Sequence, residues 1–274
     1  MFSTRARTST LSLLFSQLEL IYHASVRNIR KTHGNAIIGL VLNIMQTAMM
    51  IIVFYVMYGV LGLTSMRVRG DFVLYIMSGV FLYFTHVRAL GAVAAADSAT
   101  SAMMKHAPMN PIVAIAAAAI GTLYIQILSM AVVLGVYYVG FNHQIDIEYP
   151  VAALGMILVA WLSGVGIGLI FRAAKPWQPE IVGIATTIFM RANMVASGKM
   201  FLANSLPAKL RGYFSWNPLY HTIDQARGFV FVNYSPHYTS LMYPIYVTIV
   251  CVMIGLIAEY YTGRHVSLSW GAGR

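Results

Sequence analysis

Three side chains that could bind or pair with charged groups lie close together in the segment SWNPLYHTIDQARGFVF, residues 215–231: His221, Asp224 and Arg227. Residues three positions apart share one side of a helix, so the Asp224 carboxylate can pair with the Arg227 guanidinium and lies one turn from the His221 imidazole. Pro218 is typical of a first helical turn. The spacing predicts a short helix whose charges either form a structural cluster or meet a charged substrate, and both interpretations stay open.

The elements that must position this helix are transmembrane spans. Of the 274 residues, 59% are hydrophobic and 9% are charged, whereas soluble domains carry about 25% charged residues. Several apolar runs reach the ~20 residues that cross a bilayer, and they are continuous rather than alternating as in a β-barrel. The sequence predicts an all-α membrane protein with six transmembrane helices, at residues 37–61, 71–90, 112–139, 150–171, 181–201 and 238–261.

Two further helical segments are expected beside the spans. Residues 11–30 predict an amphipathic helix that lies in the membrane interface or packs on another protein. Between spans five and six, residues 218–231 predict a half-buried helix that lies at the outer interface or re-enters the membrane. The expected organisation is a cytoplasmic N-terminus with the amphipathic helix (1–33), a transmembrane domain (34–262) and a cytoplasmic tail (263–274).

The basic residues predict how the chain is oriented. With the N-terminus inside, eleven of the 18 Lys and Arg residues fall on the cytoplasmic side, five fall in the outer loops, and Arg191 and Lys199 fall within span five. An excess of Lys and Arg marks cytoplasmic loops, so both termini are expected in the cytoplasm and residues 202–237 outside. This bias also accounts for the net charge of +10, because no nucleic-acid-binding motif accompanies it.

Single charges inside or beside the spans are further candidates. Arg191 lies near the middle of span five, where a charge costs about 2.5–3.5 kcal/mol on insertion scales. It is expected either to line a path for an anionic polymer or to be buried beside Glu180, Asp97 or backbone carbonyls. Lys199 lies nearer the span end, from which its ammonium can reach the interface. Glu259, in span six, is expected to anchor that span or to pair with a nearby arginine, Arg264.

Catalytic and metal-binding chemistry is not indicated by the sequence. Ser197 and Gly198 do not belong to a G-x-S-x-G nucleophile motif, and His86, His106, His143 and His237 lack metal-ligand spacing. The phosphate-binding pattern G-x-x-x-x-G-K-[ST] is also absent. If ATP drives this protein, another chain must bind it, and no cofactor is expected here.

Residues 190–236 resemble the permease subunits of type-2 ABC exporters, and most closely those that export capsular polysaccharides in Gram-negative bacteria. The matching positions are Ser197, Gly198, Phe201, Leu206, Pro207, Trp216, Asn217, Pro218, Leu219, His221, Asp224, Arg227 and Tyr234. Six spans, an amphipathic start and two glycines at the entrance to span one, Gly34 and Gly39, extend the resemblance to nearly the whole chain. The sequence departs from the family pattern at Leu40, Leu42, Lys199 and Asp224, and this leaves the substrate branch open.

The resemblance implies a homodimer of permeases in the bacterial inner membrane, driven by ABC ATPase subunits that hold ATP and magnesium on the cytoplasmic side. The implied cargo is a capsular or other cell-surface polysaccharide, linked to a lipid. Membrane lipids and periplasmic export proteins are further expected partners, and nucleic acid is not. Two alternatives stay open: an ABC-2 permease for O-antigen, teichoic acid, a lipid or a drug, and a membrane-embedded transferase. The transferase would need a carboxylate or histidine cluster that the sequence does not show.

These considerations define two sets of site residues. In the first, the helix after span five acts as a lid over the outer mouth of a substrate path; its members are Arg191, Ser197, Gly198, Trp216, Asn217, Pro218, Tyr220, His221, Asp224 and Arg227. Two of its aromatic residues, Trp216 and Tyr220, either anchor the helix at the interface or stack on sugar rings. The second set would contact the ATPase from the amphipathic helix and from a helix after span two that prolines stop; its members are Arg27, Arg30, Ala99, Met103 and Lys105.

Overall fold

A computed structural model describes residues 18–27, 36–62, 71–96, 111–141 and 145–265 of the chain. The regular structure in these ranges is helical, as the sequence predicts. We number the helices α1 (18–27), α2 (Ala36–Val60), α3 (Phe72–Ala94), α4 (Pro111–Phe141), α5 (Pro150–Ala174), α6 (Pro179–Ala196), α7 (Ala208–Phe214), α8 (Pro218–Val230) and α9 (Met242–His265). A short 3-10 turn, Ala203–Ser205, precedes α7.

Five of these helices are long and apolar enough to cross a membrane: α2, α3, α4, α5 and α9. They correspond to predicted spans one to four and six, with ends that differ by a few residues. The longest is α4, with 31 residues. At 1.5 Å per residue it extends for about 46 Å, past the ~30 Å of a hydrocarbon core.

The fifth predicted span is shorter than expected. Helix α6 begins with Pro179 as its first residue and ends at Ala196 after 18 residues, and it does not reach the apolar character of the other five. Gly198 follows with a φ of +72°, in the left-handed region that glycine adopts without steric cost. The chain therefore leaves the helix before residue 201, the predicted end, and turns back into the protein.

Helix α3 lies at the centre of the bundle. In its most apolar stretch of 18 residues, 78% of the residues are buried, compared with 22% for α2 and 17% for α9. It packs against α2, α4, α5 and α8. The outward faces of α2 and α9 are therefore among the surfaces that the described residues offer to lipid or to another protein.

Glycines bring α5 close to α3. A Cβ at Gly164 would overlap the carbonyl oxygen of His86, and one at Gly168 would lie 2.8 Å from that of Leu90. Small residues permit such contact between membrane helices, and polar side chains strengthen it. Here the Nδ1 atom of His86 lies 2.8 Å from Ser163 Oγ, so this buried histidine joins two helices.

Candidate substrate path and outer gate

Helix α8 is buried inside the protein and is not half exposed at its edge. It packs against α3, α5 and α9, and ten of its 13 residues are buried. Asn217 caps its start, because its side-chain oxygen accepts a hydrogen bond of 3.0 Å from the Leu219 amide. A Cβ at Gly79 on α3 would lie 2.9 Å from Arg227 Nη2, and Gly79 lies about 10 Å along α3 from its start. The helix is therefore more deeply buried in the protein than the predicted half-buried helix.

Arg227 binds the backbone that follows α6. Its Nη1 donates to the carbonyls of Gly198 at 3.1 Å and Phe201 at 2.7 Å, and its Nη2 donates to that of Lys199 at 2.5 Å. The guanidinium also lies 4.1 Å from the ring centre of Tyr75. These carbonyls lie in the connection after α6, which ends at Ala196, and buried carbonyls need a donor. A fully buried arginine thus fixes this connection, and no substrate can reach the guanidinium in this conformation.

Asp224 binds the segments on both sides of α7 and α8. Its Oδ1 accepts hydrogen bonds from the Ala203 amide at 3.2 Å and the Tyr234 hydroxyl at 2.5 Å, and its Oδ2 accepts one from the Thr239 hydroxyl at 2.8 Å. Burial and the nearby carboxylate raise the pKa of Tyr234, which keeps that hydroxyl a donor. The expected ion pair between Asp224 and Arg227 is not among the ion pairs of the described residues. Both charges bind the connection between α6 and α7 instead, and Asp224 also binds two residues after α8.

His221 fastens the two ends of the α8 region to each other. Its Nε2 lies 2.8 Å from the Ser215 carbonyl, and its Nδ1 accepts a 3.0 Å hydrogen bond from the Ser240 amide. These partners fix a neutral imidazole with its proton on Nε2. Burial lowers its pKa, which agrees with the neutral form. Among the described residues, no group of three or more His, Cys, Asp or Glu side chains could hold a metal ion.

The remaining residues of the first set divide between buried contacts and an exposed anchor. Asn217 donates to Asn193 Oδ1 at 2.8 Å and to the Ala196 carbonyl at 3.0 Å, so the start of α8 holds the end of α6. Tyr220 is 2% exposed and Trp216 is 58% exposed. In this conformation Tyr220 cannot stack on a sugar, whereas both the anchor and the sugar-stacking interpretation stay open for Trp216.

The interior around residues 197–201 is built from side chains that the sequence did not link to one another. Ser197 is fully buried and Lys199 is 3% exposed. The Lys199 ammonium lies 3.4 Å from the ring centre of Tyr83, so the expectation that it reaches the interface is wrong. A second tyrosine, Tyr58 of α2, donates to the Met200 carbonyl. No sequence signal marks these partners, since tyrosines in apolar spans are common.

Arg191 is exposed on α6. The buried residue of this helix is Asn193. The predicted partner of Arg191, Glu180, lies eleven residues earlier in the same helix, about 16 Å away, so these two do not pair. The other suggested partner, Asp97, lies outside the described residues. Arg191 stays a candidate for a path that this face of α6 would line.

The second set of candidates is described only in part. Arg27 lies in α1, whereas Arg30, Ala99, Met103 and Lys105 lie outside the described residues. The described end of α3 leads into that region, and Arg172 of α5 donates to the Ala96 carbonyl there at 3.4 Å. Arg172 also pairs with Glu259 of α9. The prediction that Glu259 pairs with Arg264 is therefore wrong. The ends of α3, α5 and α9 are therefore fastened together.

Comparison with known proteins gives one match. A family model described as ABC-2 type transporter matches residues 19–231, a range that includes helices α2 to α8. A search of curated proteins found no match.

Proposed function

Because the chain belongs to the ABC-2 type transporter family and is thus a multi-pass permease component of an ABC transporter, we propose that it exports a polysaccharide across the bacterial inner membrane. The proposed cargo is a capsular or other cell-surface polymer attached to a lipid. Support comes from the residues that carry the resemblance to polysaccharide permeases. Gly198, Asp224, Arg227 and Tyr234 are far apart in the chain but belong to one bonded network.

The energy source is proposed to be a separate ABC ATPase. Permeases of this family normally work with such a partner, and this sequence has no phosphate-binding loop of its own. ATP and magnesium would be held there. The partner would act on the cytoplasmic side, through α1 and the segment after α3, and the Arg172 contacts described above would carry the movement from α3 to α5 and α9.

Helix α8 is proposed to be the outer gate. The observation that carries this proposal is that the two buried charges of α8 hold the connections before α7 and after α8: Arg227 binds residues 198–201, and Asp224 binds Ala203, Tyr234 and Thr239. Opening requires these hydrogen bonds to break together, which gives two distinct states. Helix α6 is suited to move, because Asn193 is its one buried residue.

The path itself is proposed to lie between two copies of the chain. The bundle is packed around α3, and the outward faces of α2 and α9 are exposed over most of their length. In such a dimer the exposed side of α6, with Arg191, would face the hydrated path. An arginine there would attract an anionic polymer without binding it at one fixed position.

Depletion of this permease in its native cell tests the cargo. We expect polysaccharide to accumulate inside the cell and to disappear from its surface, and we expect an ATPase to co-purify with the tagged chain. Accumulation of a different cargo would overturn the polysaccharide proposal and leave the permease assignment intact. A chain that purifies without any ATPase would argue against ATP-driven export.

A further inference from the structure

Arg88 of α3 holds a charge inside the helix bundle. It is one of the eleven basic residues that the sequence assigns to the cytoplasmic side, and it lies six residues before the end of α3, about 9 Å within the helix. Its Nη1 donates to Gln126 Oε1 on α4 at 2.7 Å, and its Nη2 donates to Gln46 Oε1 on α2 at 3.1 Å. Its guanidinium lies 4.2 Å from the ring centre of Phe84. Three helices thus meet around one cation.

The charge of Arg88 has no counter-charge in this cluster. Among the described residues, no carboxylate lies within ion-pair distance of the guanidinium. Its two partners are amide oxygens, which are neutral. Ionised residues inside membrane domains are costly and are usually paired or functional. Arg227 shows the contrast, because it donates to three backbone carbonyls, whereas Arg88 donates to two side-chain amide oxygens.

Further polar atoms in the same cluster lack hydrogen-bond partners. Gln126 is 1% exposed and Ser129, one turn further along α4, is 0% exposed, yet the Gln126 amide nitrogen and the Ser129 hydroxyl are unpaired within the described structure. The Oδ1 of Asn43, one turn from Gln46 on α2, is unpaired as well. Buried polar atoms are nearly always paired, so several orphans beside one cation indicate a ligand that the protein binds.

The free groups match the chemistry of a phosphate. The remaining Arg88 N–H groups, the Gln126 amide nitrogen and the Ser129 hydroxyl can all donate, and arginine binds phosphate oxygens in a planar, bidentate manner. The Asn43 oxygen is an acceptor in the present orientation, and rotation of its amide by half a turn replaces it with a donor. These groups come from three helices that meet at Arg88, and together they match a compact anion with several oxygens.

The cluster is open on one side. Gln46 is exposed and Arg88 is half-buried, and Gln46 belongs to α2, whose apolar stretch is largely exposed. A ligand can therefore reach the guanidinium from the membrane or from a path between two copies, without unfolding the bundle.

We propose that Arg88, Gln126 and Ser129, with Gln46 beside them, form a binding site for a phosphate group within the membrane domain. Two sources share this chemistry: the headgroup of an anionic phospholipid, including the lipid end of an exported molecule, and a phosphate on a water-soluble molecule. A role of this site as an entrance for cargo would rest on the proposed function and on the proposed orientation of the chain in the membrane. The proposal that the site binds phosphate depends on neither.

Lipid retention by the purified permease tests the first source. The protein is placed in phosphatidylcholine nanodiscs that contain phosphatidylglycerol, and the lipid that stays bound is counted by native mass spectrometry. We expect the wild type to retain phosphatidylglycerol, Arg88→Gln to reduce retention at least tenfold, and Arg88→Lys to restore part of it. Arg264→Gln is the matched control, since Arg264 is exposed near the end of α9 and stacks on Tyr260, and it should retain lipid like the wild type.

Ser129→Ala keeps the test valid if Arg88→Gln does not fold. It removes a buried, unpaired hydroxyl, so the ligand-free protein should unfold at the same or a higher temperature while phosphate binding weakens several-fold.

The second source is tested by the shift in unfolding temperature on adding millimolar inorganic phosphate in pure phosphatidylcholine. A response to phosphatidylglycerol alone assigns the lipid source, and a response to inorganic phosphate assigns the soluble one. Equal binding by the wild type, Arg88→Gln and Ser129→Ala, or no binding of either probe, overturns the site and leaves the export proposal untouched.

Discussion

Arg227 and Lys199 are two buried cations that meet through a backbone carbonyl. The Arg227 guanidinium binds the Lys199 carbonyl oxygen at 2.5 Å, while the Lys199 ammonium points away to the Tyr83 ring on α3. Residue 199 is thus held at its backbone by α8 and at its side chain by α3. If α8 moves outwards, the end of α6 loses one of these two attachments and keeps the other.

Removal of the Arg227 charge is expected to disable the gate. Arg227→Gln should lower export strongly and destabilise the permease by about 3 kcal/mol, because three buried carbonyls lose a charged donor. Arg227→Lys should restore only part of the export, since lysine lacks the planar, forked donor group of arginine. Asp224→Asn should do comparable harm, because it disturbs the other half of the same network. Polymer at the cell surface, divided by permease abundance in the membrane, measures the effect, and wild-type export from Arg227→Gln would remove the gate from this mechanism.

A methyl group at Gly79 is expected to disturb the same network from the α3 side. Its Cβ would lie 2.9 Å from both Arg227 Nη2 and the Lys199 carbonyl oxygen, so Gly79→Ala should destabilise by about 1–3 kcal/mol. Gly135→Ala in α4 is the control, because a methyl group at that position would have no neighbour within 4 Å. Thermal unfolding of both purified variants provides the comparison. Equal unfolding temperatures would contradict the close packing of α3 on α8.

The ion pair between Arg172 and Glu259 is expected to respond asymmetrically to mutation. Glu259→Gln leaves Arg172 buried without its carboxylate and should cost about 3–5 kcal/mol. Arg172→Met together with Glu259→Leu should recover much of that loss, because an apolar pair of similar volume replaces the ion pair. Denaturant unfolding of the purified variants measures the stability, and ATPase stimulation by the permease reports whether the connection between the helix ends matters for coupling. If the double variant is no more stable than Glu259→Gln, the pair does not behave as a unit.

His221 is expected to make stability depend on pH. Burial lowers its pKa below the ordinary value of 6.5, so the unfolded chain takes up a proton before the folded one does. The stability that His221 contributes is therefore complete above about pH 6.5 and is lost as the pH falls below that value. The unfolding temperature should drop less between pH 7.5 and pH 5 in His221→Gln than in the wild type. An identical drop in both proteins would mean that the imidazole takes up its proton at the same pH in the folded and the unfolded state.

Both termini are expected to be cytoplasmic, with Ser205 on the outer side. The basis is the distribution of Lys and Arg along the sequence, and Ser205 is exposed in the structure. In a Cys251→Ser background, a cysteine at position 205 should react with a membrane-impermeant maleimide on intact cells, and a cysteine at position 269 should react only after the cells are opened. The reverse pattern would invert the topology and place the α8 gate on the cytoplasmic side.

The sequence predicted well what depends on local patterns. The start of α8 at Pro218 follows from its proline, and the five long spans follow from apolar length. The burial of α8 was underestimated, because its charges indicated an exposed face. Arg227 is satisfied by backbone carbonyls some 28 residues away, and Asp224 by a backbone amide and two hydroxyls. Backbone groups carry no sequence signature.

Contacts between distant helices were the part that sequence patterns could not supply. Arg172 and Glu259 are 87 residues apart, so the nearer Arg264 was the natural guess for a partner of Glu259. Lys199 was assigned to the interface because one lysine near a span end usually extends there. Its aromatic partner Tyr83 belongs to a helix whose neighbours only the fold reveals.

The central position of α3 also bears on how the chain enters the membrane. Of the five spans α3 is the least apolar and by far the most enclosed, and it carries Arg88 within it. Lipid is a poor solvent for such a segment, since an unpaired polar group in hydrocarbon costs several kcal/mol. During synthesis α3 therefore depends on neighbours made after it, and it becomes secure in the bilayer only when α4 and α5 surround it. The same helix that organises the finished bundle is the one least able to insert alone.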